Sequence, residues 1–412
     1  MATQTLATAD AILKDLYVGP IVEQLNNKTY MLDQIERDSD SIDHTGRRAV
    51  VPVHTSRNRG RGSRGSNSTL PVAGKQAWQD AIVNIKYHYY AIEVDDPAIA
   101  ATKNNEGAFI NVLDAETKGV AQDMRKDINR QVFGTGDGRL AAVRASSAVA
   151  SPQVVNVTTD VQYIQVGDVV DVLVAATGAT TNGVVGATVT ARDTTAGSET
   201  ITIDTALAGT VGTTYAVYLT GSRSQEMDGL RNIVSSSRTL HSIDSSTAGN
   251  EFWNSKVTAV GGVAGESSFT KLLDDVAQNG NGEVDVFVTT RGVRRRLADS
   301  YQSTKRFNDA KAVQVHGGYT AILVNEVPVV ADDEAPKGYA FGINKDSFRW
   351  FQQEGPGWLQ QKDSGIFHLK DGATAGGKVN VWQAWFKWYS ALGCVAPNRN
   401  GVLTGCTDDA AA

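Results

Sequence analysis

An arginine-rich segment interrupted by glycines carries the residues best suited to direct chemistry. Residues 47–65 contain six arginines and no carboxylate. Guanidinium groups bind phosphates and carboxylates through paired hydrogen bonds, so the segment could bind single-stranded nucleic acid or an acidic protein surface. It lacks the aromatic side chains on which bases stack, which weakens the nucleic-acid interpretation. The distal arginines and the glycines among them are Arg57, Arg59, Arg61, Arg64, Gly60, Gly62 and Gly65.

The other residue groups that could form a site favour structural roles. The GTGDG string at residues 134–138 follows a predicted helix, whereas phosphate loops precede one, so the string predicts a helix-ending turn. The six histidines are scattered without metal-ligand spacing. Asp332, Asp333 and Glu334 could hold a cation, but their position before Pro336 favours a turn. We therefore predict no catalytic residue, no cofactor, no metal site and no enzyme activity.

Composition limits the class of protein. The chain has 412 residues, enough for two or three compact units, and a formal net charge of -6, which excludes a nucleic-acid clamp built from the whole molecule. Cys394 and Cys406 form neither a disulfide framework nor a zinc motif, so synthesis in a reduced cytoplasm is expected, and whether they pair stays open. Neither a secretory signal nor a membrane-spanning helix is predicted.

Strand-like segments flank the arginine loop. Residues 49–54 and 81–94 are strand-like, and Ile82, Ile85, Tyr87, Tyr89 and Ile92 in the second segment indicate β structure. The two segments predict the two arms of a long hairpin. An isolated two-stranded hairpin is only marginally stable in water, so we expect this one to lie on a neighbouring copy of the chain. The arginines at its tip would then dock on carboxylates of that copy.

A long amphipathic helix is predicted over residues 105–133. Apolar residues recur at three- and four-residue steps, Gly134 ends the pattern, and a helix of this length runs about 40 Å. Upstream, the acidic residues between Asp33 and Asp43 are interpreted as a solvated face. The apolar stripe of the helix consists of Phe109, Leu113, Val120, Met124, Ile128 and Val132.

Residues 141–222 differ sharply from the rest in composition. They are rich in valine, threonine, alanine and glycine and contain no lysine or tryptophan. Short strand candidates separated by turn residues predict an inserted all-β module of sandwich or barrel type, with a poorly ordered linker as the alternative. The candidates are residues 169–174, 185–191, 200–204 and 215–220.

The remainder of the chain alternates helix and strand. Helices are predicted over residues 268–278 and 291–301, and strands over 284–290, 321–324, 327–331, 339–343, 379–389 and 391–395. With the preceding elements they give an α+β fold.

The order of these elements resembles that of the major capsid proteins of tailed bacteriophages, which have the Hong Kong 97 type shell fold. The resemblance covers nearly the whole chain outside residues 141–222, and it rests on the combination and order of local strings. These strings are QVFGTGDG at 131–138, MDGLRNIV at 227–234, VDVFVTTRGVRRRLADSY at 284–301 and VPVVADDEAPKGYAFGINKDSF at 327–348.

The resemblance implies a role for each segment. The E-loop residues expected at contacts between subunits are Arg57, Arg59, Arg61, Arg64 and Lys75. In some relatives an isopeptide bond between a lysine and an asparagine crosslinks loops covalently. Lys75 could supply the lysine of such a bond, but no motif identifies the asparagine, and no crosslink is expected. The implied segments are an N-terminal arm at 1–46, an E-loop hairpin at 47–95, a P-domain spine helix at 96–140, an inserted β-rich domain at 141–222, an A-domain at 223–347, P-domain long strands at 348–387, and a C-terminal A-domain strand and tail at 388–412.

The function implied by the resemblance is self-assembly. Copies of the chain would form hexamers and pentamers of an icosahedral virion shell around double-stranded DNA, after synthesis in the host cytoplasm and without a membrane. The arm before the hairpin is short, so separate scaffold and portal proteins are expected as partners, and the insertion could bind a decoration protein. The alternatives are a nucleic-acid-binding module that uses residues 57–65 and an enzyme.

Overall fold

The chain is a mixed α/β protein with few helices and many strands. A computed structural model describes residues 29–38, 42–43, 48–97, 99, 112–280, 282–304, 313–315, 319–360, 365–371 and 377–408. The helices in these ranges are α1 (Tyr30–Asp38), α2 (Val112–Val132), α3 (Leu230–Ile233), α4 (Glu266–Gly280) and α5 (Arg291–Thr304). The strands are β1 (Ile42–Asp43), β2 (Arg48–Ser56), β3 (Ala77–Asn84), β4 (Lys86–Asp95), β5 (Arg139–Ala142), β6 (Gln153–Asn156), β7 (Val169–Val174), β8 (Val184–Asp193), β9 (Thr200–Ile203), β10 (Tyr215–Leu219), β11 (Thr239–Leu240), β12 (Ile243–Asp244), β13 (Lys256–Gly262), β14 (Val286–Thr289), β15 (Val313–Val315), β16 (Tyr319–Val324), β17 (Val327–Ala331), β18 (Tyr339–Ile343), β19 (Phe348–Trp358), β20 (His368–Asp371), β21 (Lys378–Cys394) and β22 (Gly401–Cys406).

The chain divides into two compact units. Described residues of the smaller unit come from Tyr90–Asp123 and Trp358–Phe386. The larger unit takes Lys28–Tyr89, Met124–Gly357 and Lys387–Ala412. No helix among the described residues is both long enough and apolar enough to cross a membrane.

The smaller unit packs strand residues against a helix. Ile92, Val120 and Ala384 are its buried core residues, and aromatic side chains that include Trp358 and Phe386 pack around them. The Trp358 and Phe386 rings meet edge to face at 5.1 Å, a favourable arrangement for aromatic pairs. Glu93 accepts hydrogen bonds from Lys370 and from Gln383 at the surface of this unit.

A seven-stranded sheet forms the main layer of the larger unit. Its strand order is β13-β22-β18-β14-β17-β16-β15. Helices α4 and α5 bury apolar residues against this sheet because their apolar positions recur with helical spacing. Phe269 of α4 and Phe287 of β14 meet edge to face at 4.9 Å in this core. Both helices and strands β16, β17 and β18 lie where the periodicity predicts them, although α4 extends two residues further at each end.

Residues 139–219 of the larger unit contain six strands that share a core cluster. Six strands follow the order β5-β10-β7-β8-β9-β6, and a bridge between Val143 and Val157 joins the two ends of this path. The strands therefore close into a barrel, whose interior holds a dedicated core of valine, isoleucine, leucine and alanine side chains. Of the two predicted types, sandwich and barrel, the structure has the barrel. Strand β7 coincides with its prediction, and β8, β9 and β10 match theirs within two residues.

Two strand predictions need correction. The segment 81–94 is not one hairpin arm: β3 ends at Asn84, and β4 pairs with β21 instead of β2. Ile85, between the two strands, is buried with Val83 and Phe351, so its burial fixes the point where the chain leaves one sheet for another. The two predicted strands at 379–389 and 391–395 are one continuous strand, β21, because Ser390 stays in the extended ladder.

The long helix is confirmed where it is described. Helix α2 ends at Val132, and the N–H of Gly134 donates to the Gln131 carbonyl in the predicted helix-ending turn. Val120, Met124, Ile128 and Val132 are buried as the stripe predicts. Residues 101–111, which include Phe109, lie outside the described residues, as does the side chain of Leu113. The 21 described helical residues span about 31 Å.

Helix α1 was not predicted. The acidic run suggested a solvated face, but Tyr30, Met31, Leu32 and Ile35 are buried on this helix. Ile35 follows Leu32 and Met31 by three and four residues, which was a usable signal that the neighbouring carboxylates obscured. Asp33, the one carboxylate of the run whose side chain is described, is half-buried and accepts a hydrogen bond from Arg125 at 2.7 Å.

Candidate functional site

The hairpin of β2 and β3 is anchored at its root. The strands pair antiparallel from Arg48 opposite Asn84 to Ser56 opposite Ala77. Ala49 and Val83 are buried against Phe351 at the root, and the N–H of Ile82 donates to the His241 carbonyl at 2.8 Å. The root of the hairpin therefore belongs to the core of the larger unit.

The distal part of the hairpin is exposed. In the 57–76 loop, Leu70 and Val72 are 78% and 88% exposed, and Trp78 on the adjoining arm is 65% exposed. The His54 ring packs against Trp78 in a tilted arrangement, with 4.7 Å between centroids. Large apolar side chains so exposed on a protruding element are typical of surfaces that another protein covers.

The five cations predicted at contacts all lie on this loop. Arg57, Arg59, Arg61, Arg64 and Lys75 are exposed, and no hydrogen bond or ion pair within 4.0 Å joins their side chains to another described residue. The loop contains no carboxylate that could neutralise them. The structure therefore brings the predicted residues together on one loop and leaves them available to a partner.

A patch of tyrosines on the neighbouring strands was not predicted. Tyr87 and Tyr89 of β4 are 48% and 52% exposed, and both rings meet Tyr389 of β21 edge to face at 5.0 and 5.8 Å. The Tyr89 and Tyr389 hydroxyls are 3.0 Å apart. The alternating pattern of β4 predicts a strand, but it does not reveal that Tyr389 completes the patch. We call these three residues the tyrosine patch.

The Asp332–Glu334 cluster forms the predicted turn and also joins several elements. Asp332 is buried and accepts hydrogen bonds from the Met31 N–H of α1 and the Asn129 amide of α2, at 2.9 and 3.0 Å. Asp333 pairs with Arg291. Burial raises the pKa of Asp332 to about 6 and that of Glu334 to about 7. Within the described part of the chain, no group of three or more histidines, cysteines or carboxylates is arranged to hold a metal ion.

The barrel is fastened to this same turn. The Tyr163 hydroxyl donates to the Glu334 carbonyl at 2.8 Å, and Asp160 pairs with Arg231 at 3.1 Å. The Arg231 guanidinium lies over the Tyr339 ring, 5.1 Å from its centroid. The barrel is therefore held to the seven-stranded sheet by direct side-chain contacts.

A buried ion pair lies where the chain leaves the barrel. Arg130 of α2 donates to both oxygens of Glu226, at 3.2 and 2.5 Å, and to Asp127 at 2.7 Å. Burial by itself would lower the pKa of Arg130, but the charges of Asp127 and Glu226 raise it well above its ordinary value.

Gly138, after the helix-ending turn, has a φ of +79° and lies against the Ser222 carbonyl, where a Cβ has no room.

The histidines and cysteines have structural positions. His88 and His241 are buried, and burial lowers the pKa of each to about 4. The Cys394 and Cys406 thiols are buried and unpaired, which settles the open question of their pairing. Burial raises the pKa of Cys394 to about 12 and that of Cys406 to about 11, so neither is a reactive thiolate near neutral pH.

Comparison with known proteins gives fold similarity without sequence similarity. No family model matches the chain, and no curated protein matches it. Similar solved structures include the cyanophage A-1(L) capsid asymmetric unit, which is 13% identical with a TM-score of 0.59 and is matched over 98% of this chain and 100% of that chain.

Two further structures agree with the first. The capsid of a native GTA particle is 8% identical, with a TM-score of 0.51, and is matched over 98% of this chain and 100% of that chain. A structure from Microbacterium phage Oxtober96 is 12% identical, with a TM-score of 0.51, over 98% and 99% of the two chains. Such low identities establish the fold alone. The chain has the Hong Kong 97 type fold of phage capsid proteins.

Proposed function

We propose that the chain is the shell-forming major capsid protein of a tailed phage. Copies assemble into hexamers and pentamers that tile an icosahedral head around double-stranded DNA. The fold supports a shell protein, because the similar structures include a cyanophage capsid and a GTA particle capsid. The proposal that copies contact one another in rings rests on the hairpin of β2 and β3.

The observation that carries the proposal is the exposed loop of the hairpin. Its apolar residues Leu70 and Val72 are almost fully exposed, and its five cations have no ion-pair partner within the described residues. Exposed apolar area is unfavourable in water, and guanidinium groups form their strongest hydrogen bonds with carboxylates. When the loop rests on a second copy of the chain, its apolar side chains are covered and its guanidinium groups gain carboxylate partners. Arg57, Arg59, Arg61, Arg64 and Lys75 are the proposed contact residues.

The remaining segments take the roles that the resemblance to phage capsid proteins implies. Residues 47–95 act as the E-loop, although only 48–84 form the hairpin itself. The helix within 96–140 and the strands within 348–387 form the P-domain, residues 223–347 and 388–412 form the A-domain, residues 1–46 form the arm, and residues 141–222 form the insertion. The protein then resides in the virion and works with separate scaffold and portal proteins, and with a decoration protein if the barrel binds one. It acts by assembly and catalyses no reaction.

Nucleic-acid binding by residues 57–65 is the second candidate. Trp78 favours it, because this exposed ring lies three residues after Lys75 on the same hairpin and could stack on a base. On this hypothesis the arginines bind phosphates, and retention of DNA weakens steeply as salt increases.

One variant separates the two candidates. Replacing Arg57, Arg59, Arg61 and Arg64 together by alanine removes every guanidinium group of the loop, and all four side chains are exposed. We expect the variant to keep the circular dichroism and melting temperature of the parent, since exposed substitutions change stability by about 0.5 kcal/mol or less each. Electron microscopy and light scattering should show loss of rings and shells.

The matched control replaces the same four arginines by lysine. It keeps the charge but loses the planar fork that binds carboxylates through paired hydrogen bonds, so assembly should be weakened and not abolished. If the alanine variant assembles like the parent while losing salt-sensitive retention of DNA, the loop is a nucleic-acid site and the capsid role of these arginines is wrong.

A further inference from the structure

We propose that the tyrosine patch of one copy receives the arginine loop, residues 57–65, of a neighbouring copy. The inference rests on the proposed function and adds to it an aromatic acceptor surface on the partner, beside the carboxylates proposed above. Tyr87, Tyr89 and Tyr389 are its residues.

The patch is preorganised for binding. The Tyr89 and Tyr389 hydroxyls are 3.0 Å apart and share a hydrogen bond, and the edge-to-face contacts fix the ring planes. Rings that are already fixed lose little conformational entropy when a partner covers them. Tyrosine is also enriched at protein interfaces, where its ring gives apolar area and its hydroxyl stays hydrated.

The chemistry of the patch suits guanidinium groups. Lys387 already places its ammonium 5.0 Å from the Tyr389 ring centroid, which shows that one ring of the patch accepts a cation. That ammonium is paired with the Glu354 carboxylate at 2.6 Å, so it adds no net charge that would repel an arginine. Tyr87 and Tyr89 keep about half of their surface open. Arginine stacks on such faces better than lysine does.

The arginine loop cannot reach the patch of its own chain. Tyr389 packs against the cluster of Ala49 and Val83 at the root of the hairpin, whereas Arg57 follows the far end of β2. Eight residues of extended strand separate Ala49 from Arg57, which is about 26 Å. The arginines therefore meet a tyrosine patch only on another molecule.

A contact from tip to root has a consequence for assembly. The two surfaces differ, so each copy offers a tip to one neighbour and a root to the next. Such head-to-tail contacts generate rings when the rotation between copies closes.

Photocrosslinking tests the contact directly. p-Benzoylphenylalanine replaces Tyr87 in the full chain, assembled particles are irradiated, and crosslinked peptides are identified by mass spectrometry. We expect a ladder of covalent oligomers in denaturing gels, with the crosslink mapped to residues 57–65 of a second copy. The same probe at Val185, an exposed residue of the barrel, is the control and should give no crosslink to that loop.

The outcomes separate this inference from the proposed function. Particles that form normally but crosslink at Tyr87 only within one chain, or to any segment other than 57–65, overturn the tyrosine-patch contact and leave the capsid function standing. A crosslink from Val185 to the loop also overturns it, because the loop would then lack a defined acceptor. Absence of any assembly, with scaffold present, overturns both.

Substitution gives a second, independent measurement. Replacing Tyr87 and Tyr89 by alanine should raise the protein concentration needed for assembly by about tenfold, because two ring contacts are lost from each subunit. The corresponding phenylalanine variant keeps the ring faces and should assemble within about twofold of the parent. Equal assembly of the alanine and parent proteins, with both folded by circular dichroism, contradicts the inference.

Discussion

Replacing Arg130 by methionine should destabilise the subunit more than any other single loss of charge described above. The Arg130 and Glu226 side chains are each 7% exposed, and the guanidinium donates to both Glu226 oxygens and to Asp127. Removing it leaves a buried carboxylate without its cation. Because such a carboxylate is no longer solvated by water or by a partner, we expect a loss of about 3–5 kcal/mol in the free energy of unfolding.

Arg125 lies on the same helix as Arg130 and pairs with Asp33 of α1, and this more exposed pair gives the matched control. Arg125 and Asp33 are 2.7 Å apart, but their side chains are 43% and 37% exposed. Water solvates either partner when the other is removed. Arg125→Met should therefore cost about 1 kcal/mol or less, although Arg125 and Asp33 also lie within hydrogen-bond distance of each other.

The assay is urea unfolding of the unassembled subunit, followed by tryptophan fluorescence. The double variant Arg130→Met with Glu226→Leu should recover most of the lost stability, because a buried pair can be replaced by apolar side chains of similar volume at little cost. If Arg130→Met costs no more than Arg125→Met, or if the double variant is no better than the single one, burial does not control the strength of this pair and the electrostatic reasoning fails.

Two further substitutions test other parts of the fold. The folded pKa of Glu334, about 7, lies above its unfolded value, so its contribution to stability is present at low pH and is lost as pH rises through 7. The parent protein should therefore gain melting temperature on going from about pH 8 to about pH 5.5, and Glu334→Gln should reduce that gain. An unchanged gain would contradict this assignment. Gly119 lies within α2 with no atom near its missing Cβ, whereas Gly138 is in the left-handed region against the Ser222 carbonyl. Gly119→Ala should raise stability by about 0.5–1 kcal/mol and Gly138→Ala should lower it by more than that, and calorimetry showing the same sign for both would refute the backbone argument.

Local pattern predicted most of the elements of this fold. Strands β7 to β10 of the barrel, the helices α4 and α5, and the buried stripe from Val120 to Val132 lie where the sequence pattern predicts them, whereas β5 and β6 were not predicted. The exposed arginine loop was also predicted, because charge and glycine content are properties of a segment by itself. Helix α1 was missed because a short helix among carboxylates is stabilised by what it packs against and not by its own sequence.

Pairing over long distances in the chain was not predictable. Strand β4 has the same alternating pattern as a hairpin arm, and nothing in that pattern names β21 as its partner. The tyrosine patch depends on that choice, because Tyr89 and Tyr389 are 300 residues apart in the chain. In the same way, the Asp332 turn is recognisable from its sequence, but its hydrogen bonds to Met31 and Asn129 are not.

By itself, the sequence of this protein determined which segments are extended or helical, which face of each is apolar, and that a cationic loop stands between two strands. Only the tertiary structure decided which apolar faces meet, that the barrel closes through Val143 and Val157, and that Arg130 and Glu226 are buried together. The physical reason is that residue spacing sets the direction of each side chain along its own element. The choice of partner depends on the summed packing and desolvation of many distant residues, which no single segment encodes.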